Sequence, residues 1–125
     1  LYRLPGFMFG LKKVMGMAYS KELAERIRER LHNMPAFMER KMFGGICFLL
    51  DGNMACGILN DDVIIRVGKE AYASALALPH TRKFDITRRA MTGWIMVSPE
   101  GHGSDPELNA WLQKGVDLAT SLPPK

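Results

Sequence analysis

Three short turn signals, Gly44-Gly45, Asp51-Gly52 and Asn60-Asp61, separate runs of strand-forming residues between positions 38 and 67. That spacing constrains the chain to an antiparallel meander. Glycine, asparagine and aspartate tolerate the positive φ that two-residue hairpin turns require. Strands are predicted at 38–43, 46–50, 53–59 and 62–67. With Asp51-Gly52 as the turn, Leu50 faces Asn53, Leu49 faces Met54 and Cys47 faces Cys56. The side-chain period of two then puts Cys47, Leu49, Met54, Cys56 and Ile58 on one face, and Ile46, Phe48, Leu50 and Ala55 on the other. Both faces are largely apolar. Helices are expected over one, and a second copy or a docked leader segment over part of the other.

Helical signals flank the meander. Ser20 suits an N-cap, with Glu22 in the first turn, where the helix dipole favours an acid. Leu23, Ile27 and Leu31 then recur every four residues, and Asn33 and Pro35 stop the helix near residue 33. After Gly68, residues 69–77 read as a short alanine-rich helix stopped by Pro79. From His80 to Thr92 the chain is polar and without period. Gly93 to Val97 reads as a short buried strand ended by Ser98-Pro99. A terminal helix starts at Asp105 as N-cap, with Pro106 at the first helical position. Its apolar stripe runs Leu108, Trp111, Leu112, Gly115, Val116, Ala119 and Leu122, and Pro123-Pro124 ends it. The fold class is therefore α+β with two layers. An antiparallel meander sheet carries an N-terminal helix, a short middle helix and a long C-terminal helix.

A chain of 125 residues, 47% of them hydrophobic, can close one core without disulfides or a structural metal. No run reaches the ~20 apolar residues of a membrane helix, so no membrane role and a cytoplasmic location are expected. Residues 1–16 differ in character from the rest, with Phe7-Met8-Phe9 followed by Lys12 and Lys13. They lack the order of a signal peptide, whose charge precedes its apolar stretch. They read as a vector remnant or an over-extended start, with the domain at 17–125. The functional alternative is an apolar arm that docks on the body or on a second subunit. This leader holds three basic residues and no acid, so from Met17 onward 14 basic residues meet 13 acidic ones. A domain that grips nucleic acid through its phosphates should be more basic than that.

Chemistry-bearing residues are few. Cys47 and Cys56 lack paired metal spacing and have no flanking base to stabilise a thiolate, so reduced core residues are expected over a redox switch. His32, His80 and His102 fall near element ends or in loops, where solvated or capping roles are the default. His80 with Asp85, or His102 with Glu100 and Asp105, would be the acid–base or metal pairs, but neither has a companion nucleophile or ligand spacing. No catalytic residue, metal ligand or cofactor is therefore assigned. Arg82, Lys83, Arg88 and Arg89, with Lys69 nearby, form the densest basic patch and are the candidate interaction residues. Asp85 interrupts the patch, and only Phe84 is interleaved to stack on bases.

Lys41-Met42-Phe43-Gly44-Gly45, followed after five residues by Asp51-Gly52-Asn53-Met54, resembles the TfoX N-terminal domain family. Asp62 to Gly68, Met91 to Val97 and the terminal Ser121-Leu122-Pro123-Pro124-Lys125 agree in order. The likeness covers residues 19–125. The family is named for bacterial regulators of competence, in which this domain is joined to a second, C-terminal one. This sequence is expected to be a stand-alone member. The resemblance implies an antiparallel sheet with helices packed on it and offers no agreed catalytic residues. Met42, Phe43, Gly44 and Gly45 are read as structural, a turn with a core anchor, and a recognition surface on that turn is the alternative. The expected function is a non-enzymatic regulatory or adaptor domain working through protein contacts at its sheet face or edge, as a possible homodimer with an unknown protein partner. Weak nucleic-acid binding through residues 82–89 is the alternative.

Overall fold

The computed structural model describes residues 19–42, 44–85 and 90–125. The leader at 1–16, Phe43, Arg88 and Arg89 lie outside the described residues. Six antiparallel strands form one open sheet: β1 Phe37–Met42, β2 Gly45–Leu50, β3 Asn53–Leu59, β4 Asp62–Arg66, β5 Thr81–Lys83 and β6 Trp94–Val97. Their spatial order is β1-β2-β3-β4-β6-β5. Four helices accompany them among the described residues: α1 Lys21–Leu31, α2 Tyr72–Leu76, α3 Pro99–His102 and α4 Asp105–Ser121. The α+β class and the meander of β1 to β4 agree with the turn signals.

The hairpins form where the sequence marks them. Asp51 and Gly52 both adopt positive φ, 52° and 82°, as a two-residue primed turn requires. Asn60 does the same at 57° between Leu59 and its partner Asp62. The first turn is shifted from its expected place. Gly44 has the positive φ, but Gly45 is already in β2, paired with Met42. Gly45 stays glycine for another reason, since a Cβ there would overlap the Ile58 carbonyl oxygen.

The expected register holds for only two pairs. Leu50 faces Asn53 and Leu49 faces Met54, but Phe48 then faces Cys56 and Cys47 faces Gly57. Ala55 is the extra residue of a β-bulge. A bulge shifts the alternation by one residue, so Cys56 and Ile58 join Ile46, Phe48 and Leu50 on the helix-covered face. Cys47, Leu49 and Met54 remain opposite. The expected cross-strand pair of Cys47 and Cys56 is thus wrong, and the two thiols lie on different sides of the sheet.

Two further expectations are corrected and one is extended. The N-cap of α4 is Ser104, not Asp105. The Ser104 hydroxyl accepts from the Glu107 N–H, and the Glu107 carboxylate accepts from the Ser104 N–H, a reciprocal capping box. The stretch after His80 contains edge strand β5, too short for a two-residue period to show. Its Thr81 hydroxyl is 2.9–3.2 Å from the carbonyls of Ala75, Leu76 and Leu78 at the end of α2. Ser98-Pro99 ends β6 as expected but also starts α3, with proline in the first turn.

The main core lies between the sheet and α1, α2 and α4. Helix α1 buries Leu23, Ala24, Ile27 and Leu31, its Ser20 cap accepting from the Leu23 N–H at 3.1 Å. Arg28 on α1 forms a two-pronged ion pair with Glu39 of β1, at 2.5 and 2.9 Å, which fixes Glu39 on the helix side of the sheet. Helix α4 buries Leu108, Trp111, Leu112, Gly115, Val116 and Ala119. The opposite face of the sheet has its own smaller apolar cluster. Ile64, Phe84 and Met96 form it, with Met54, Leu59, Met91 and Trp94 packed alongside. No described helix contributes to that cluster.

Candidate functional site

Alternation along the strands sorts the functional side chains. With β1 paired to β2 as Arg40 to Cys47, Met38, Arg40 and Met42 share the outer face with Cys47 and Leu49. On β4 and β6, Ile64 faces Met96 and Arg66 faces Trp94, which adds three apolar residues and a second arginine to the same face, three strands from the first. Among these, Met38 is exposed at 48%. A shallow cleft of about 280 Å³ opens on this face. Met42, Leu49, Met54, Met91 and Trp94 make its apolar surface, and Arg40, Arg66 and Lys125 supply positive charge. The Arg66 guanidinium lies 5.0 Å from the Trp94 ring centroid, within range of a cation–π attraction.

Lys125 reaches the cleft because the tail is tied to the β2–β3 turn. The Lys125 N–H donates to the Asp51 carbonyl at 2.8 Å. The buried Asn53 amide donates to the Pro123 carbonyl at 2.9 Å. Pro123-Pro124, read in the sequence only as a helix stop, thus also carries the chain across the hairpin.

The basic patch is distributed differently. Arg82 and Lys83 are neighbours on β5, so their side chains leave opposite faces of the sheet. Arg82 points to the outer face and pairs with Asp62 at 2.6 Å. Lys83, which faces Ile95 across the ladder, is on the other side and exposed.

His32 and His80 are exposed, as the sequence suggests, and His102 is not. His102 is 5% exposed in α3, its Nε2 2.9 Å from the Asp61 carbonyl oxygen and its buried Nδ1 without a hydrogen-bond partner. His80 and Asp85 sit beyond opposite ends of β5 and form no pair. Glu100 and Glu107, both near His80 and His102, have carboxyl groups held below the ordinary range. Glu100 owes this first to its own backbone N–H and then to the Ser98 hydroxyl. Glu107 owes it first to the Ser104 hydroxyl and then to the Ser104 N–H. These are cap geometries rather than catalytic ones. Among the described residues no group of three or more His, Cys, Asp or Glu side chains could hold a metal ion.

Burial pushes the Cys47 thiol up to about 11, against a smaller opposing pull from Arg40. Burial raises Cys56 further, with Cys47 adding to it. Both protons are held more tightly in the folded chain than at the ordinary thiol value of 9.0. The stability contributed by Cys47 is complete below pH 9.0 and is lost as the pH rises toward about 11, and that of Cys56 is lost only at higher pH still. A thiol-reagent count is expected to find no fast-reacting group in the native protein at pH 7 and two after denaturation. An intramolecular disulfide in gently oxidised native protein would contradict the opposed placement of the two cysteines.

The family model for the TfoX N-terminal domain matches residues 29–119. No curated protein matches the chain well enough to add to that finding. No described helix is long and apolar enough to cross a membrane. The matched segment holds β1 to β6, α2, α3 and most of α4, and the chain belongs to the TfoX N-terminal domain family.

Proposed function

We propose that this chain is a non-enzymatic regulatory or adaptor domain that works by docking a protein partner on the outer face of its sheet. The observation that carries this reading is the outer face itself. It holds an apolar cluster, an adjoining open cleft and an exposed Met38. The cluster itself is buried, and the accessible part is the cleft with Met38 on the same face. An apolar opening edged with charged residues is the form that interaction sites take. The non-catalytic part of the reading is supported by the environments of the titratable groups. The two cysteines are buried with raised pKa values, His102 is packed against the Asp61 carbonyl and His32 caps α1.

Nucleic-acid binding through residues 82–89 is the competing reading. It is weakened by the pairing of Arg82 with Asp62 and by the opposed directions of Arg82 and Lys83. One capture experiment separates the two. Tagged native protein, a Met54→Glu variant, and a variant with Arg82, Lys83, Arg88 and Arg89 all changed to glutamine are each used to recover partners from a lysate of the native host. Met54→Glu is expected to lose the enriched proteins while keeping its melting temperature. The glutamine variant is expected to keep them, with nuclease treatment making no difference. Salt-sensitive duplex DNA binding by the native protein, abolished in the glutamine variant, would replace the adaptor reading.

A further inference from the structure

The cleft on the outer face has a chemistry that selects its occupant. Its floor is rich in thioethers, with Met42, Met54 and Met91 gathered beside Trp94. Methionine is unbranched and polarizable, so a surface built from it adapts to varied apolar side chains. Its charged side chains are all of one sign. Arg40, Arg66 and Lys125 line the cleft and no Asp or Glu side chain does. None of the three is in an ion pair with a described acid. At about 280 Å³ and widely open, the cleft is smaller than the roughly 300–1,000 Å³ of pockets that enclose small ligands. It has room for a large apolar side chain delivered from outside.

We propose that this cleft docks an acidic amphipathic segment of a partner protein. A leucine, phenylalanine or methionine of that segment would sit among the thioethers, and flanking Asp or Glu side chains would meet Arg40, Arg66 and Lys125. The inference rests on the adaptor reading and names the partner's chemistry. Charge separates this occupant from the others available. The leader carries Arg3, Lys12 and Lys13 and no acid, so it would bring like charge to the cleft. A second copy would bring the same three cations. A nucleic acid satisfies the charge but not the thioether floor, and Arg66 already lies over the Trp94 ring that a base would need.

The test uses the full chain and three short fluorescein-labelled peptides, read by anisotropy. One carries leucine and phenylalanine on one helical face, flanked by glutamates. A second has every glutamate replaced by lysine, and a third has every apolar anchor replaced by serine. The first is expected to bind saturably and about tenfold or more tighter than either twin. Raised salt weakens it by screening. Arg40→Glu, at an exposed strand position, is expected to weaken it about tenfold, with an unchanged melting temperature showing that the fold is intact. Arg66→Gln is the second variant, expected to reduce affinity without reversing charge. Equal binding of the lysine twin, or unaltered binding by both arginine variants, overturns the proposal. So does displacement by octanoate or a random DNA duplex at concentrations below those of unlabelled peptide, which would assign the cleft to a small amphiphile or to nucleic acid. If all three peptides fail while Met54→Glu still loses its captured proteins, the adaptor reading stands and this inference alone falls.

Discussion

Trp111→Ala is expected to lower folding stability by about 3–5 kcal/mol, the usual cost of truncating a large buried aromatic side chain. A domain of this size has roughly 5–15 kcal/mol in all, so the variant should be partly unfolded or aggregated at physiological temperature. Two effects combine. The ring is 8% exposed and belongs to the main core between α4 and the sheet. Its indole N–H also donates to the Gly101 carbonyl at 3.1 Å, so that removing it strips an acceptor in α3 of its partner. Trp111→Phe separates the two, because it keeps most of the packing and loses only the hydrogen bond, about 1 kcal/mol. Urea denaturation midpoints of the three proteins check the ordering. An unchanged midpoint for Trp111→Ala would show that α4 is peripheral to the core.

The meander was legible because each hairpin is encoded locally. Asp51, Gly52 and Asn60 sit at positive φ and are residue types that accept it. The bulge at Ala55 was not legible, because nothing in Met54-Ala55-Cys56 marks an extra residue. What selects it is tertiary. Gly115 of α4 comes against the Ala55 backbone, and the one-residue shift directs both Cys56 and Ile58 at the helices. Strict alternation could not have revealed that. The start of α4 was misread by one residue although its Ser104-x-x-Glu107 signature was present, because Asp105-Pro106 is itself a plausible start. Strand β5 has three residues, and its place beside β6 depends on a contact that skips the intervening loop.

The candidate site divides the same way. An apolar second face was readable from the strand pattern, and so was the need for something to cover it. The cleft was not, because it draws on β1, β2, β3, β4, β6 and the tail at once. Arg40 and Arg66 are 26 positions apart in the sequence and look like ordinary strand-surface charges. Only the sheet order β1-β2-β3-β4 puts them on one face. The basic cluster at 82–89 is contiguous in sequence. Strand geometry then sends Arg82 and Lys83 to different faces, and Asp62 neutralises the first.

Gly115→Ala sets two magnitudes against each other. In a helix interior alanine is favoured over glycine by about 0.8–1.0 kcal/mol, so propensity alone predicts a more stable protein. Packing predicts the reverse. A Cβ at position 115 would overlap the Ala55 carbonyl oxygen and lie 3.1 Å from the carbonyl carbon. Those are backbone atoms of a bulged central strand, which cannot rotate aside as a side chain can. Helix α4 would have to lift, loosening Leu112 and Val116, which pack in the same core. Overpacking of this kind costs about 1–3 kcal/mol and occasionally more, and rigid backbone on one side of the contact argues for the upper end. The net expectation is therefore a loss of about 2 kcal/mol, read as a lowered urea midpoint with an unchanged slope. Gly115→Val, with two more carbons at the same contact and a β-branch unfavourable in a helix, should cost more still. Lys114→Ala, exposed one residue away, should stay within about 0.5 kcal/mol of the native protein. A more stable Gly115→Ala variant would mean that α4 stands farther from β3 than this close approach requires, and that the bulge at Ala55 is not braced by the helix.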